Sequence, residues 1–215
     1  MDGAQKYQEW MNVLSSHGVE KKFKAGSSVF FQGDKLDRIG FVVAGQVDAW
    51  VLSEQGVKTW VDSFYETDFF GHVCLLTQSP IQYDVVALKA VTILFIPIRK
   101  IETLLKDRTG LSQEFAQDLA ARLEGMTSRL IEAVTLSSPG RVCAELMRLS
   151  QPIGIDPDKL IIRPMPVFVE LAFRINIARE TVSRTVSDLQ KDGVLSREPG
   201  SILIHNPKAL RDLMR

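Results

Sequence analysis

Between Leu171 and Arg184 the chain reads Leu-Ala-Phe-Arg-Ile-Asn-Ile-Ala-Arg-Glu-Thr-Val-Ser-Arg, and its charged residues are of the types that read DNA bases. The guanidinium groups of Arg179 and Arg184 can pair bidentately with guanine, and the Glu180 carboxylate can accept from the cytosine amino group. They read bases only if they project together from one side of a helix that enters the major groove. The apolar spacing predicts such a helix over 178–191. Val182, Thr185 or Val186, and Leu189 recur at i, i+3/i+4 and i+7, opposite a face carrying Arg179, Glu180, Ser183, Arg184 and Ser187. An ordinary amphipathic helix with solvated charges has the same pattern, so the flanking elements must decide.

Upstream, Ala172 allows close backbone approach, Asn176 enters a left-handed turn at low cost, and Ile177 can plug the corner between two short helices. Downstream, Asp192-Gly193-Val194-Leu195 is a glycine stop followed by an apolar anchor. Residues Ser196 to Ile204 then read as strand, Pro-Gly turn and strand. A hairpin directly behind such a helix is a wing. The predicted unit is a winged helix-turn-helix, with Arg197 and Ser201 placed to touch phosphates and the helix placed to read bases.

The 215 residues suffice for two modest domains. Hydrophobic residues make up 45% of the chain and charged residues 24%, an ordinary globular balance without a membrane-spanning run or a leader pattern, so a cytoplasmic location is expected. Cys74 and Cys143 show no pairing pattern and are expected to be reduced, buried thiols. A net charge of zero argues at first against a nucleic-acid partner. Residues 141–215, however, hold 12 Lys/Arg against 9 Asp/Glu, leaving 14 against 17 for residues 1–140. The excess of positive charge lies on the predicted DNA-binding side, and dimerisation with direct base contacts would compensate for few phosphate contacts.

From about Lys24 to Ile98, short β-rich runs alternate with glycines. Val29–Phe31, Phe41–Val43, Val47–Leu52, Thr59–Phe64, Val85–Leu88 and Thr92–Pro97 are strand candidates, which suggests a small barrel or roll, with a plain β-sandwich as the alternative. Ser112 to Leu136 reads as one long helix. Ala116, Leu123 and Leu130 alternate with Leu119, Met126 and Ala133 in steps of three and four, the a and d spacing of a parallel dimer seam or of a buried intramolecular helix. A two-fold dimer is favoured because it brings paired reading helices to successive half-sites. Ser137-Ser138-Pro139-Gly140 is expected to break the helix as a hinge. A further helix with Val142, Leu146 and Leu149 inward follows. Gln151 to Pro166, with a β-like Lys159 to Arg163, connects it to the reading unit.

In this order the chain resembles the catabolite activator (CRP/FNR) superfamily of bacterial transcription regulators. The likeness rests on Lys24-Ala25-Gly26, Gln32-Gly33-Asp34, Ala44-Gly45-Gln46-Val47, Phe70-Gly71 and, above all, Leu171-Ala172 with Arg179-Glu180-Thr181-Val182-Ser183-Arg184. It implies an α+β fold: an N-terminal cyclic-nucleotide-binding-like β-roll (a double-stranded β-helix) with an N-terminal helix over 1–108, a dimerisation helix over 109–137 and a winged helix-turn-helix over 138–215. It also implies a homodimer on a palindromic operator with TGA-like half-sites. DNA contacts would come from Arg179, Glu180, Thr181, Ser183, Arg184, Arg197 and Ser201, and the dimer seam from Leu119, Leu123, Met126 and Leu130. The effector region would fall near Gly71, His72, Gln82, Tyr83 and Thr127, and RNA polymerase is a candidate partner.

The chain departs from the family where a cyclic nucleotide would sit. The family's Gly-Glu-Leu and following Arg are replaced by Gly71-His72-Val73-Cys74 and by Ile81 or Gln82, and no Lys or Arg occurs between Lys58 and Lys89. A buried cyclic phosphate would lack its charge-assisted partner, so cyclic AMP control is disfavoured and an uncharged, hydrophobic or absent effector is preferred. Two cysteines cannot ligate a four-iron cluster. Haem on His72 or Cys74 is the alternative sensing chemistry, and a cyclic-nucleotide regulatory module without DNA binding is a rival that the wing opposes. An enzyme is not expected, and no metal site is predicted: His17, His72 and His205 lie in separate regions, and no nucleophile elbow, P-loop or dinucleotide fingerprint is present.

Overall fold

A computed structural model of the chain describes residues 10–154 and 156–214, which divide after Gln117 into two compact units. Residues 1–9, which the sequence reading assigns to the first domain, lie outside the described residues. The division falls inside the long helix, whereas the sequence reading draws its boundaries at 108/109 and 137/138.

The first unit opens with helix α1, described over 10–14, and continues through β1 (Val19–Phe23), β2 (Ser28–Phe30), β3 (Arg38–Ala44), β4 (Val47–Leu52), β5 (Lys58–Phe64), β6 (Phe69–Phe70), β7 (Asp84–Ala87) and β8 (Val91–Pro97). Two four-stranded sheets, ordered β1-β8-β3-β6 and β2-β7-β4-β5, pair antiparallel throughout. Alternation along each strand sends one set of side chains inward, where Phe30, Phe64, Phe70, Ile81, Val85 and Phe95 share one core. Aromatic rings meet there edge-on, as Phe30 does with Phe70 and Phe95 at 5.7 Å between centroids. Gly40 leaves room for this packing. A Cβ at that position would lie 2.1 Å from the Phe70 ring.

Short helix α2 (His72–Thr77) interrupts the strands, and α3 (Ile98–Asp107) and α4 (Thr109–Thr135) follow them. Neither α2, α3, β1 nor β6 is anticipated from sequence. Strand β1 reads Val-Glu-Lys-Lys-Phe and is an edge strand with mostly exposed side chains, so its charges hide the alternation that marks the central strands.

The second unit holds the rest of α4, then α5 (Ser138–Leu149), β9 (Gln151–Ile153), β10 (Asp156–Ile162), α6 (Phe168–Arg174), α7 (Arg179–Lys191), β11 (Leu195–Glu198), β12 (Ser201–Ile204) and α8 (Pro207–Asp212). Its sheet is ordered β11-β12-β10-β9. Val142, Leu146, Leu171, Val182, Val186 and Leu210 meet in one apolar core beneath it. The expected hinge is corrected in detail. The helix breaks at Leu136–Ser137, while Ser138, Pro139 and Gly140 form the first turn of α5, where proline is tolerated because its missing N–H is not needed. The Ser137 side chain caps that turn by accepting from the Gly140 N–H at 3.2 Å.

Candidate nucleic-acid interface

The reading helix is built from its own ends. In the turn between α6 and α7, Asn176 adopts φ 50°, the left-handed conformation that its type allows at modest cost. The Ile177 N–H donates to the Ala172 carbonyl at 3.0 Å, closing the corner. At the other end Gly193, with φ 70°, donates to the Gln190 carbonyl, and the Val194 N–H donates to the Leu189 carbonyl at 2.9 Å. This pair of bonds is a Schellman stop, and it turns buried Val194 and Leu195 back into the core. Helix α7 is thereby fixed at both ends and along its inner face by Val182, Thr185, Val186 and Leu189, all buried.

On the other face Arg179, Glu180 and Arg184 are exposed, and Thr181 and Ser183 are half-buried. These five predicted base-reading residues thus lie within the first two turns of one helix and are carried on a packed support. Glu180 falls in the first turn, where the helix dipole favours a carboxylate. The wing lies directly after. Strands β11 and β12 pair from Leu195↔Ile204 to Glu198↔Ser201 around the Pro199-Gly200 turn, with Gly200 at φ 76°. Arg197 is exposed on β11. Ser201 is not available as expected: although it is paired with exposed Glu198 across the hairpin, it is only 1% exposed. The wing's predicted phosphate contact therefore reduces to Arg197.

The predicted effector residues occupy scattered environments. Gly71 precedes α2 at φ 78°, a conformation suited to glycine, and His72 opens the helix. The His72 ring is buried with Phe64 and Phe115 edge-on at centroid distances of 6.5 and 6.1 Å. Desolvation raises the Cys74 thiol pKa, partly offset by a backbone hydrogen bond, so the thiolate that would bind a metal is disfavoured. Ile81 is 1% exposed inside the roll's core with its N–H on the Asp34 carbonyl at 3.0 Å. Gln82 is exposed and donates to the Pro80 carbonyl at 3.0 Å, and Tyr83 is half-buried against the core. Thr127 is an exposed residue of α4 beyond the division. A cavity of about 360 Å³ instead opens between α2 and α3, lined by Lys35, Cys74, Gln78, Ser79, Arg99 and Glu102, and none of the predicted pocket residues borders it. Among the described residues no cluster of three or more His, Cys, Asp or Glu side chains is arranged to hold a metal ion, and no helix is long and apolar enough to cross a membrane.

The predicted seam residues of α4 are largely uncovered within the chain. Leu123 is 67%, Met126 40% and Leu130 66% exposed, and Leu119 is half-buried.

Comparison with known proteins matches residues 20–108 to the cyclic nucleotide-binding domain and residues 140–213 to the Crp-like helix-turn-helix domain. The global nitrogen regulator of Synechocystis sp. PCC 6803 is 31% identical over 196 residues, covering 89% of this chain and 87% of that protein. The anaerobic regulatory protein of Bacillus subtilis is 26% identical over 203 residues, covering 93% and 85%. Among solved structures, a CooA variant from Carboxydothermus hydrogenoformans shares the fold with a TM-score of 0.81 at 17% identity, over 95% of this chain and 90% of that one.

Proposed function

Because the chain belongs to the CRP/FNR family of bacterial transcription regulators, we propose that it binds palindromic operators as a homodimer, each protomer laying α7 in a major groove. Arg179, Glu180, Ser183 and Arg184 read base edges with Thr181 beside them, and Arg197 contacts phosphate from the wing. The observation that carries this reading is the exposure of Arg179, Glu180 and Arg184 on a helix whose opposite face is wholly buried. The half-site is TGA-like, as the trio Glu180, Ser183 and Arg184 implies by family resemblance. Selection of bound duplexes from a random pool by the full chain is expected to return inverted repeats of such half-sites. Arg184→Ala is expected to lose about 1–3 kcal/mol per half-site with its preference for the selected operator. An unaltered footprint for that variant would refute the assignment.

The effector is an uncharged or hydrophobic molecule, or there is none. Support comes from Ile81 and Gln82, the two positions to which the family's phosphate-binding arginine can correspond: Ile81 is packed into the core that holds Phe30 and Phe70, and Gln82 is uncharged and exposed. A cyclic phosphate brought there would lose its hydration without gaining a cation. Calorimetry with cyclic AMP or cyclic GMP is expected to show no binding at micromolar concentrations, and a micromolar isotherm would overturn this part of the reading. Haem fits poorly, since His72 is enclosed by phenylalanine rings and Cys74 is held as the thiol. The protein acts in the cytoplasm, without catalysis of its own, through DNA and with RNA polymerase as a candidate partner.

A further inference from the structure

The wing is tied to the segment that leads into the helix-turn-helix at two separate points. The Met165 N–H donates to the Gly200 carbonyl at the wing's tip, at 2.8 Å. Arg197, on β11, lays its guanidinium over the Phe168 ring, 5.0 Å from the centroid. Phe168 is the first residue of α6, and it packs on its inner side against the second unit's core. Strand alternation sends Ser196 and Glu198 to the other face of β11, where their side chains meet at 3.4 Å and Ser196 meets His205 at 2.9 Å. A cavity of about 330 Å³ lined by Met165, Pro166, Val167, Phe168 and Val169 also takes in Arg179 of the reading helix. One apolar platform therefore borders the first reading side chain and holds the wing's cation.

From this geometry we infer that Phe168 is a positioning residue, which holds the Arg197 guanidinium at a fixed place on the DNA-facing surface and so pre-orders the wing's phosphate contact. The inference rests on the reading that α7 and the wing face DNA. A free arginine side chain has many rotamers, and binding a phosphate with it costs the entropy of choosing one. A ring face under the guanidinium makes that choice beforehand. The cation sits over the negative face of the ring, which is a charge-to-ring attraction that uses none of its N–H donors, so they stay available for a phosphate oxygen. With Ser201 buried, this cation is the predicted phosphate contact that remains on the wing.

The test uses the full chain on its selected operator, titrated by fluorescence anisotropy across a salt series. Arg197→Ala is expected to reduce the slope of log affinity against log salt by about 0.9 per protomer, the loss of one phosphate contact. Phe168→Leu, which keeps apolar bulk but removes the ring face, is expected to weaken binding about threefold per half-site, and Phe168→Tyr to restore it. In the Arg197→Ala background Phe168→Leu should cost nothing further. In the free protein, the Arg197 guanidinium protons should carry an upfield ring-current shift that Phe168→Leu abolishes and Phe168→Tyr preserves. Wild-type affinity for Phe168→Leu, an equal cost in both backgrounds, or a ring-current shift that survives Phe168→Leu would overturn the inference. If the wild-type chain selects no operator while the ring-current shift is present, the DNA reading has failed and the positioning role fails with it.

Discussion

The Cys143 thiol lies fully buried on the inner face of α5, and desolvation pushes its pKa from the ordinary 9.0 up to about 11 against a smaller lowering by a backbone hydrogen bond. The folded chain therefore holds the thiol proton more tightly than the unfolded one. Below about pH 9 both states are protonated and the thiol adds no pH dependence; above it the unfolded thiol ionises first, so folding stability falls as pH rises towards about 11. Urea unfolding followed over this range should show the fall in the wild type and a smaller one in Cys143→Ala, the difference isolating the thiol from the rest of the chain. Equal pH dependence in both proteins would exclude the effect. On the wing the same logic of burial separates Arg197 from Ser201. Both are polar and both flank the Pro-Gly turn, yet Arg197 is exposed and Ser201 is enclosed.

At the scale of elements, a chain of ion pairs joins three helices of the second unit. Arg148 on α5 pairs with Glu132 on α4 at 2.6 Å and with Glu145 one turn back, and Arg174 at the end of α6 lies 3.6 Å from the same Glu145 carboxylate. Glu145 is fully buried, so both guanidinium groups answer its desolvation. Glu145→Ala would leave Arg148 and Arg174 without their shared anion and is expected to destabilise the fold by about 3 kcal/mol, near the lower end for breaking a buried pair. Arg148→Ala, at the more exposed end, should cost less, since Arg174 remains to Glu145. Equal unfolding midpoints for Glu145→Ala and the wild type would show that the network is not structural. Nothing local in Ala-Glu-Leu-Met-Arg marks that carboxylate as buried, because one of its partners lies on another helix. Helix α7 and strand β4, by contrast, were legible because their own residues repeat with the period of the element: β4 is placed at Val47–Leu52 as expected, and α7 starts within one residue of the expected position. Within the candidate interface the exposed polar face of α7 followed from that same period, and the αL turn at Asn176 from its residue type. The Arg197–Phe168 contact and the burial of Ser201 depend on which strands and helices pack together, and no single segment carries that information.

For the whole molecule, the decisive surface is the apolar stripe of α4. Leu123, Leu130 and Val134 are 67%, 66% and 79% exposed, and Ile131 adds 55%, a row of large apolar groups that one protomer leaves in water. An uncovered patch of this kind marks an interaction site. Steps of three and four between Leu119, Leu123, Met126 and Leu130 suit the knobs-into-holes packing of a parallel pair, in which each residue meets its own symmetry mate. In the proposed dimer this seam does more than bury area. It tethers two reading heads, so that once one α7 has bound, the second half-site is met at an effective concentration in the millimolar range rather than at that of free protein. Replacing both Leu123 and Leu130 by glutamate would set like charges against each other along that seam. The double variant is expected to sediment as a monomer, to retain cooperative unfolding of both units, and to bind a single half-site as the wild-type head does, while losing at least about 100-fold on the full palindrome as avidity disappears. Sedimentation equilibrium alongside anisotropy on half-site and full-site duplexes separates these effects. A variant that remains dimeric, or a monomer that still holds the palindrome at wild-type strength, would place the two-fold contact elsewhere on the molecule and remove α4 as the element that spaces the reading helices.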